Sequence, residues 1–404
     1  MTKDSKAMPA SSTWTLLGIA LPVVVAAVVW AGPGQASAQD PSSCDPARPH
    51  AAGAFDETIT TSDGREREYI LHVPSSYTGA WAMPLVFNFH GGGLTDDFQV
   101  TYTALNAKAD EAGFITVTPQ GLSTEKHEAF GWNFALAPPE TGEPDDVAFA
   151  SELLDELETT LCVDAGRVYS TGLSNGGFMS VRLACSLSDR VAAIAPIASA
   201  YFPPLSNDFT DPNESCPDTR PVPVIAFHGS ADRTVPFEGG LSGDSIDHTH
   251  TYRLSIEEAI SEWAAHNGCD DVPMEEQATQ SVRLVRYQGC DEDATVELYV
   301  IEGGGHTWPD AALTVSEEIF GVTTHEISAN DLMWDFFLAH PMPGAAPLAP
   351  TPEPNVTDED LTAPTSGTGP ASGDSAAVWL LAALAVGALA LGGAAWYARR
   401  RLRS

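Results

Sequence analysis

The amino-acid sequence predicts an α/β domain built on a mostly parallel central sheet with helices on both faces. Short apolar or alternating runs recur between residues 68 and 301, amphipathic stretches separate them, and glycine-rich loops follow several of the runs. In chain order, the runs at 68–73, 84–89, 114–118, 167–170, 191–197, 222–227 and 295–301 read as strands, because each is short, apolar and bounded by turn residues. The stretches at 97–111, 146–161, 177–187, 255–266 and 328–340 place apolar residues three and four apart and read as helices, with Asp146 and Ser328 as expected N-caps. Alternating strands and helices of this kind gather ligands at the carboxyl ends of the strands.

The two ends of the 404-residue chain differ from its middle. Lys3 and Lys6 precede an apolar stretch at 14–31, and Ala36-Ser37-Ala38 supplies small residues for cleavage, so 1–38 reads as a secretory signal. Residues 39–343 form the folded body. Residues 344–375, rich in proline, threonine and acids, hold too little apolar surface to fold and read as an extended tether. The uncharged run 376–398 is long enough to cross about 30 Å of hydrocarbon. Arg399, Arg400, Arg401 and Arg403 follow it as a basic cytoplasmic tail in 399–404, an arrangement that exports the body and anchors it at the cell surface or in the periplasm.

The formal net charge is −36, and the charges of the two terminal regions cancel, so the body carries it. Such a field repels phosphate backbones and argues against nucleic-acid binding. Cys44, Cys162, Cys185, Cys216, Cys269 and Cys290 all lie between the signal and the tether, where disulfides are expected. Sequence leaves the pairing open, with closeness favouring Cys269 with Cys290 and Cys185 with Cys216, which leaves Cys44 for Cys162. No CxxC or cysteine–histidine ligand spacing occurs, and His248 and His250 have no third ligand in view, so no metal is expected.

Chemistry concentrates in four loops. The strand at 167–170 runs into Gly172-Leu173-Ser174-Asn175-Gly176-Gly177 and then a helix, the order of a nucleophile elbow whose small residues permit a tight turn with an outward-pointing hydroxyl. After the strand at 84–89 comes His90-Gly91-Gly92-Gly93, a loop suited to presenting a backbone N–H to an oxyanion, with Asn175 supplying the second N–H. The strand at 222–227 leads to Asp232, and the strand at 295–301 leads through Gly303-Gly304-Gly305 to His306. The order serine, aspartate, histidine is that of an α/β-hydrolase triad, with Ser174 as nucleophile, Asp232 as orienting acid and His306 as base. Asp145 and Asp146 precede the serine and open an amphipathic helix, which suits capping better than catalysis. His228 ends a strand beside Asp232 and reads as a supporting residue.

The strings HGGG, TGLSNGGFM, HGSADRTVPF and GGGHTWP, with a last helix containing ISANDLMWDFF, resemble the exported esterases related to polyhydroxybutyrate depolymerases and feruloyl esterases, from about Asp56 to His340. That likeness implies an α/β-hydrolase fold and a serine esterase that needs no cofactor. It implies Gly92 and Asn175 as oxyanion donors, and Trp132 and Trp308 as residues lining the substrate pocket. The substrate it implies is a hydroxyalkanoate oligomer or a plant-polysaccharide ester. Gly131-Trp132-Asn133 and Asp145-Asp146-Val147 resemble pocket and helix-start segments of the same family. A serine peptidase on the same fold and a non-catalytic surface-binding module are the alternatives. Against the first, the chain has no propeller domain; against the second, the set of catalytic elements is complete.

Overall fold

The computed structural model describes residues 43–348, apart from 124–128, 136–138, 140–141, 200–215, 217–219 and 242–251. The signal 1–38, the tether beyond residue 348, the span 376–398, the tail 399–404 and the pair His248 and His250 lie outside the described residues. Among the described residues no helix is long and apolar enough to cross a membrane.

The chain begins with strands β1 (Gly53–Thr60), β2 (Glu66–Val73) and β3 (Met83–Phe89), then helices α1 (Asp96–Thr103) and α2 (Leu105–Ala112). Next come β4 (Ile115–Pro119), α3 (Asp146–Thr160), β5 (Val163–Leu173), α4 (Asn175–Ser186), β6 (Ala193–Ile197) and β7 (Val224–Gly229). After a two-residue pair, β8 (Gly240–Leu241) and β9 (Tyr252–Arg253), follow α5 (Ile256–His266), β10 (Met274–Gln277), β11 (Val282–Tyr287) and β12 (Val296–Ile301). A 3-10 turn (Asp291–Asp293) lies between β11 and β12, and the short helix α6 (Glu317–Phe320) and the helix α7 (Ala329–Ala339) complete the described elements.

The main sheet runs β1-β2-β4-β3-β5-β6-β7-β12-β11-β10. The central strands from β4 to β12 pair in parallel, and antiparallel strands close both edges. In β3, Leu85, Phe87 and Phe89 face one core and Val86 the other, the period of two that a sheet buried on both faces requires. Helices α3, α4 and α5 cover the first face with Phe149, Leu153, Phe178, Met179 and Trp263. Helices α1, α2 and α7 cover the second with Tyr102, Leu105, Trp334 and Phe337. The strand after β3 is laid on one side of it and β5 on the other. This reversal opens a crevice where the loops after β3 and β5 leave the sheet.

The helix expected over 97–111 is two helices, because Ala104 turns left-handed at φ 50°. The Thr103 carbonyl accepts from Asn330 Nδ2 at 2.8 Å and the Thr103 hydroxyl accepts from Leu105 N at 3.3 Å, so the helical ladder is interrupted there. The cap of α3 also differs from expectation. Asp145, whose carboxylate accepts from Ala148 N at 2.9 Å, is the N-cap, and Asp146 points into the core. Ser328 caps α7 as expected.

Disulfides join Cys44 to Cys162, Cys185 to Cys216 and Cys269 to Cys290. The first staples the N-terminal segment to the end of α3. There Tyr77 Oη donates to Arg48 O and accepts from Cys162 N, both at 2.7 Å, while Arg48 Nη1 reaches Leu161 O at 3.0 Å. This bridge spans a sequence separation of 118, the longest of the three. Replacing Cys44 and Cys162 together by serine should therefore lower unfolding free energy by roughly 4 to 5 kcal/mol in the chain-entropy model. Urea unfolding of the oxidised wild type beside the double variant measures it, and coincident midpoints would show that the bridge constrains nothing.

Candidate active site

Ser174 lies between the end of β5 and the start of α4 with φ 55° and ψ −119°, a conformation that costs a non-glycine residue about 1 to 3 kcal/mol. Neighbouring backbone holds it there: Ser174 N donates to Ile197 O at 2.9 Å, and Ser174 O accepts from Phe178 N at 3.0 Å. The turn is tight enough to exclude side chains on either side. A Cβ on Gly172 would lie 2.5 Å from the Gly176 carbonyl carbon, and one on Gly176 would run into Phe89 O. The Ser174 hydroxyl makes no hydrogen bond among the described residues.

Because β5, β7 and β12 run in parallel, the residues after them emerge at the same edge of the sheet as Ser174. His306 Nδ1 donates to Asp232 Oδ2 at 2.7 Å, and both side chains are buried. Asp232 Oδ1 accepts from Thr234 N at 2.8 Å and Val235 N at 2.9 Å, so the carboxylate is held from both ends. With its Nδ1 proton committed to Asp232, the imidazole keeps a lone pair at Nε2. His228 packs behind the pair: its Nε2 donates to Val235 O at 2.9 Å and lies 3.5 Å from Asp232 Oδ2. Burial pushes the His228 imidazole down from its ordinary range, so it is a neutral support.

The glycine loop after β3 meets the elbow directly. A Cβ built on Gly91 would sit 3.7 Å from Ser174 Cβ, and one on Gly92 would sit 3.6 Å from Asn175 Cβ. Gly92 and Asn175 each keep a backbone N–H without a hydrogen-bond partner among the described residues. The Asn175 carboxamide is turned away onto Trp132, accepting from its N–H at 2.7 Å and approaching its carbonyl at 3.4 Å.

His90 fixes the loop. Its Nδ1 donates to Gly91 O at 2.8 Å and its Nε2 accepts from Gly121 N at 2.8 Å, which requires a neutral ring in one tautomer. Burial accordingly drives its pKa down to about 4, with the Arg67 charge adding to the effect. The His90 carbonyl accepts from Trp132 Nε1 at 2.9 Å. Beneath Trp132 lies a buried ion pair, Arg67 to Asp146 at 2.8 Å, with Asp146 Oδ2 also accepting from Asn133 N at 2.7 Å and the guanidinium 3.8 Å from the Phe149 ring centre. Burial pushes the Asp146 carboxyl up and the Arg67 guanidinium down, and the attraction between them opposes both.

Of the two tryptophans expected at the pocket, Trp132 is nearly buried and acts as a post between His90 and Asn175. Trp308 has no exposed surface at all. Its N–H groups are taken by Tyr102 Oη and Asn330 Oδ1 at 3.0 and 3.1 Å, so it packs the second core and does not line a pocket. Sequence reasoning missed the supporting roles of His90, of Arg67 and of Gln120, whose Nε2 lies 3.0 Å from His90 Nε2. The position of His90 immediately before the glycines was visible, but its partners Gly121 and Trp132 come from loops distant in sequence.

Fold and site together define an α/β-hydrolase with a serine set on a strand-to-helix elbow. Residues 60–301 match the family model described as "Putative esterase", and the chain belongs to that family. It is 33% identical over 249 residues to feruloyl esterase B of Piromyces equi, covering 61% of this chain and 44% of that one. It is 30% identical over 351 residues to the "Putative esterase NocK" of Nocardia uniformis subsp. tsuyamanensis, covering 80% of this chain and 97% of that one. The chain thus spans less than half of the first relative and nearly all of the second. Among solved structures, the acetyl xylan esterase from Aspergillus awamori aligns with a TM-score of 0.49 and 16% identity, over 71% of this chain and 100% of that one.

The state of His90 has a measurable consequence. It stays neutral in the folded protein down to about pH 4, whereas the unfolded chain binds a proton near pH 6.5. Stability from this residue is therefore full above pH 6.5 and is lost as pH falls toward 4, by an amount on the order of 3 kcal/mol. His90→Gln keeps a donor and an acceptor but does not titrate, so its unfolding free energy should fall less between pH 6.5 and 4 than that of the wild type. Urea titrations at several pH values measure both slopes, and parallel slopes would contradict the assignment.

Proposed function

We propose that this chain is an exported serine esterase that cleaves carboxylic esters through Ser174, His306 and Asp232. The observation that carries the reading is the 2.7 Å His306–Asp232 hydrogen bond at the sheet edge that also presents the strained Ser174 elbow. In the reaction, His306 Nε2 takes the Ser174 hydroxyl proton as Oγ adds to the ester carbonyl. The Asp232 carboxylate holds the ring tautomer and stabilises the imidazolium. The carbonyl oxygen becomes an oxyanion that accepts from the Gly92 and Asn175 N–H groups. On collapse, the C–O bond to the alcohol breaks and the alcohol oxygen takes the proton from His306, leaving an acyl-serine. Water then adds to the acyl carbonyl, giving up a proton to His306; the bond to Ser174 Oγ breaks, Oγ takes that proton back, and the acid is released.

Feruloyl esters are the substrate class that the relatives' names suggest, and hydroxyalkanoate oligomers are the class that the motif resemblance implies. Export is supported by the three disulfides, which persist in oxidising compartments, and by the basic and apolar sequence of 1–38. The run 376–398 with its trailing arginines supports anchorage to the membrane, with the tether between.

Two outcomes are expected. Ser174→Ala should lower ester hydrolysis by at least about a thousand-fold and abolish labelling by a fluorophosphonate, while the fold is retained. Labelling that persists on another serine would overturn the assignment. In cells, the activity should sediment with membranes and be released by limited proteolysis at 347–370. Intact chain found free in the medium with its arginine tail would contradict the anchor.

A further inference from the structure

Beside His306 the surface is unexpectedly apolar. Helix α6 and the residues after it expose Ile319 at 59%, Phe320 at 37% and Val322 at 50%. Exposed apolar side chains are ordinary when scattered, but here they share one short segment beside the candidate base. That segment is bound to the His306 loop through its backbone. His306 N donates to Phe320 O at 2.6 Å, Gly305 N donates to Val322 O at 2.9 Å, and Thr307 Oγ1 donates to Val322 O at 3.2 Å. A Cβ on Gly305 would strike Phe320 O, and one on Gly321, at φ 80°, would lie 2.7 Å from Gly305 Cα. The two strips of backbone are therefore in direct contact. From the other side Arg233, next to Asp232, donates to Glu318 O. The segment is clamped to both loops of the His–Asp pair while its apolar side chains remain in solvent.

Resting on the esterase reading above, we propose that Ile319 and Val322, with the ring of Phe320, form an apolar lip that binds the alcohol portion of the ester. The direction follows from the chemistry. His306 must hand its proton to the oxygen of the departing alcohol, so that alcohol lies on the His306 side of the scissile bond, next to this segment. An apolar lip there selects alcohols that present hydrocarbon, such as aryl, alkyl or hydroxyalkanoate chains, and so decides between the two substrate classes above: it favours hydroxyalkanoate oligomers over feruloyl polysaccharides, whose alcohol is the hydroxyl-covered ring of a sugar. It gives the esterase a preference that the triad alone does not encode.

The test uses esters of one acid, butyric acid, with methanol, benzyl alcohol and a pentose, on the full chain and on Ile319→Ser/Val322→Ser. Both positions are exposed and their backbone hydrogen bonds do not involve the side chains, so the double variant should fold. The wild type should favour the benzyl ester over the pentosyl ester in kcat/KM. In the variant, KM for the benzyl ester should rise roughly five- to ten-fold, the lower end of what an apolar contact contributes to discrimination. The methyl and pentosyl esters should keep their kcat/KM within about two-fold, since they make little apolar contact there. An unchanged benzyl KM, or a fall in kcat shared by all three esters, overturns the lip and leaves the esterase reading intact. A wild type that hydrolyses none of the three and resists a fluorophosphonate overturns the esterase reading and the lip with it.

Discussion

The steric closeness of β3, β5 and α4 around Ser174 is the constraint on which the site depends. Gly172 and Gly176 have no space for a side chain because the backbone of the turn and of Phe89 fills it. That crowding forces the serine into a left-handed conformation from which the strand and helix cannot relax without separating. The cost is borne by burial: Phe178 and Met179, on the first turns of α4, are anchored in the core beneath the sheet. The elbow thus converts hydrophobic packing of an ordinary helix into the exposure of one hydroxyl.

Around this turn, polar groups are held neutral or paired so that they position backbone and do not titrate. His90 and His228 are both pushed toward the neutral form by burial, and each uses ring nitrogens to hold a loop. Arg67 and Asp146 pair beneath Trp132, and Asp146 accepts from Asn133 N, which fixes the segment that receives the Asn175 carboxamide. Removing one partner of such a buried pair strands the other group without its counter-charge beneath the segment that carries Trp132. The strongly negative surface is separate from this machinery, since the groups that hold the loops are buried.

Much of the fold was legible because the central strands are apolar on both faces and run directly into the loops that carry chemistry. The edge strands were not. In β10 every residue, Met274 through Gln277, is exposed, and in β1 most are, so neither has a buried face to signal a strand. The break at Ala104 depends on Asn330, which comes from α7, and no local pattern encodes it. Motif order brought the serine, aspartate, histidine and glycine loops to notice. It assigned Asp146 to a cap and Trp308 to a pocket because sequence does not report what a side chain faces. The positions that hold the loops, His90, Arg67 and the segment at α6, matter through contacts between segments far apart in sequence, which leave no local signature.

In the proposed mechanism the elbow and the glycine loop form one preorganised site, with the Gly92 and Asn175 N–H groups aimed at the oxygen of a tetrahedral intermediate. A crystal structure of the chain inhibited by an alkyl phosphonate tests this arrangement. Phosphorus should be bonded to Ser174 Oγ, with one phosphonyl oxygen about 2.7 to 3.1 Å from both the Gly92 and Asn175 nitrogens. A phosphonyl oxygen turned away from both amides, or phosphorus attached to a different serine, would contradict it.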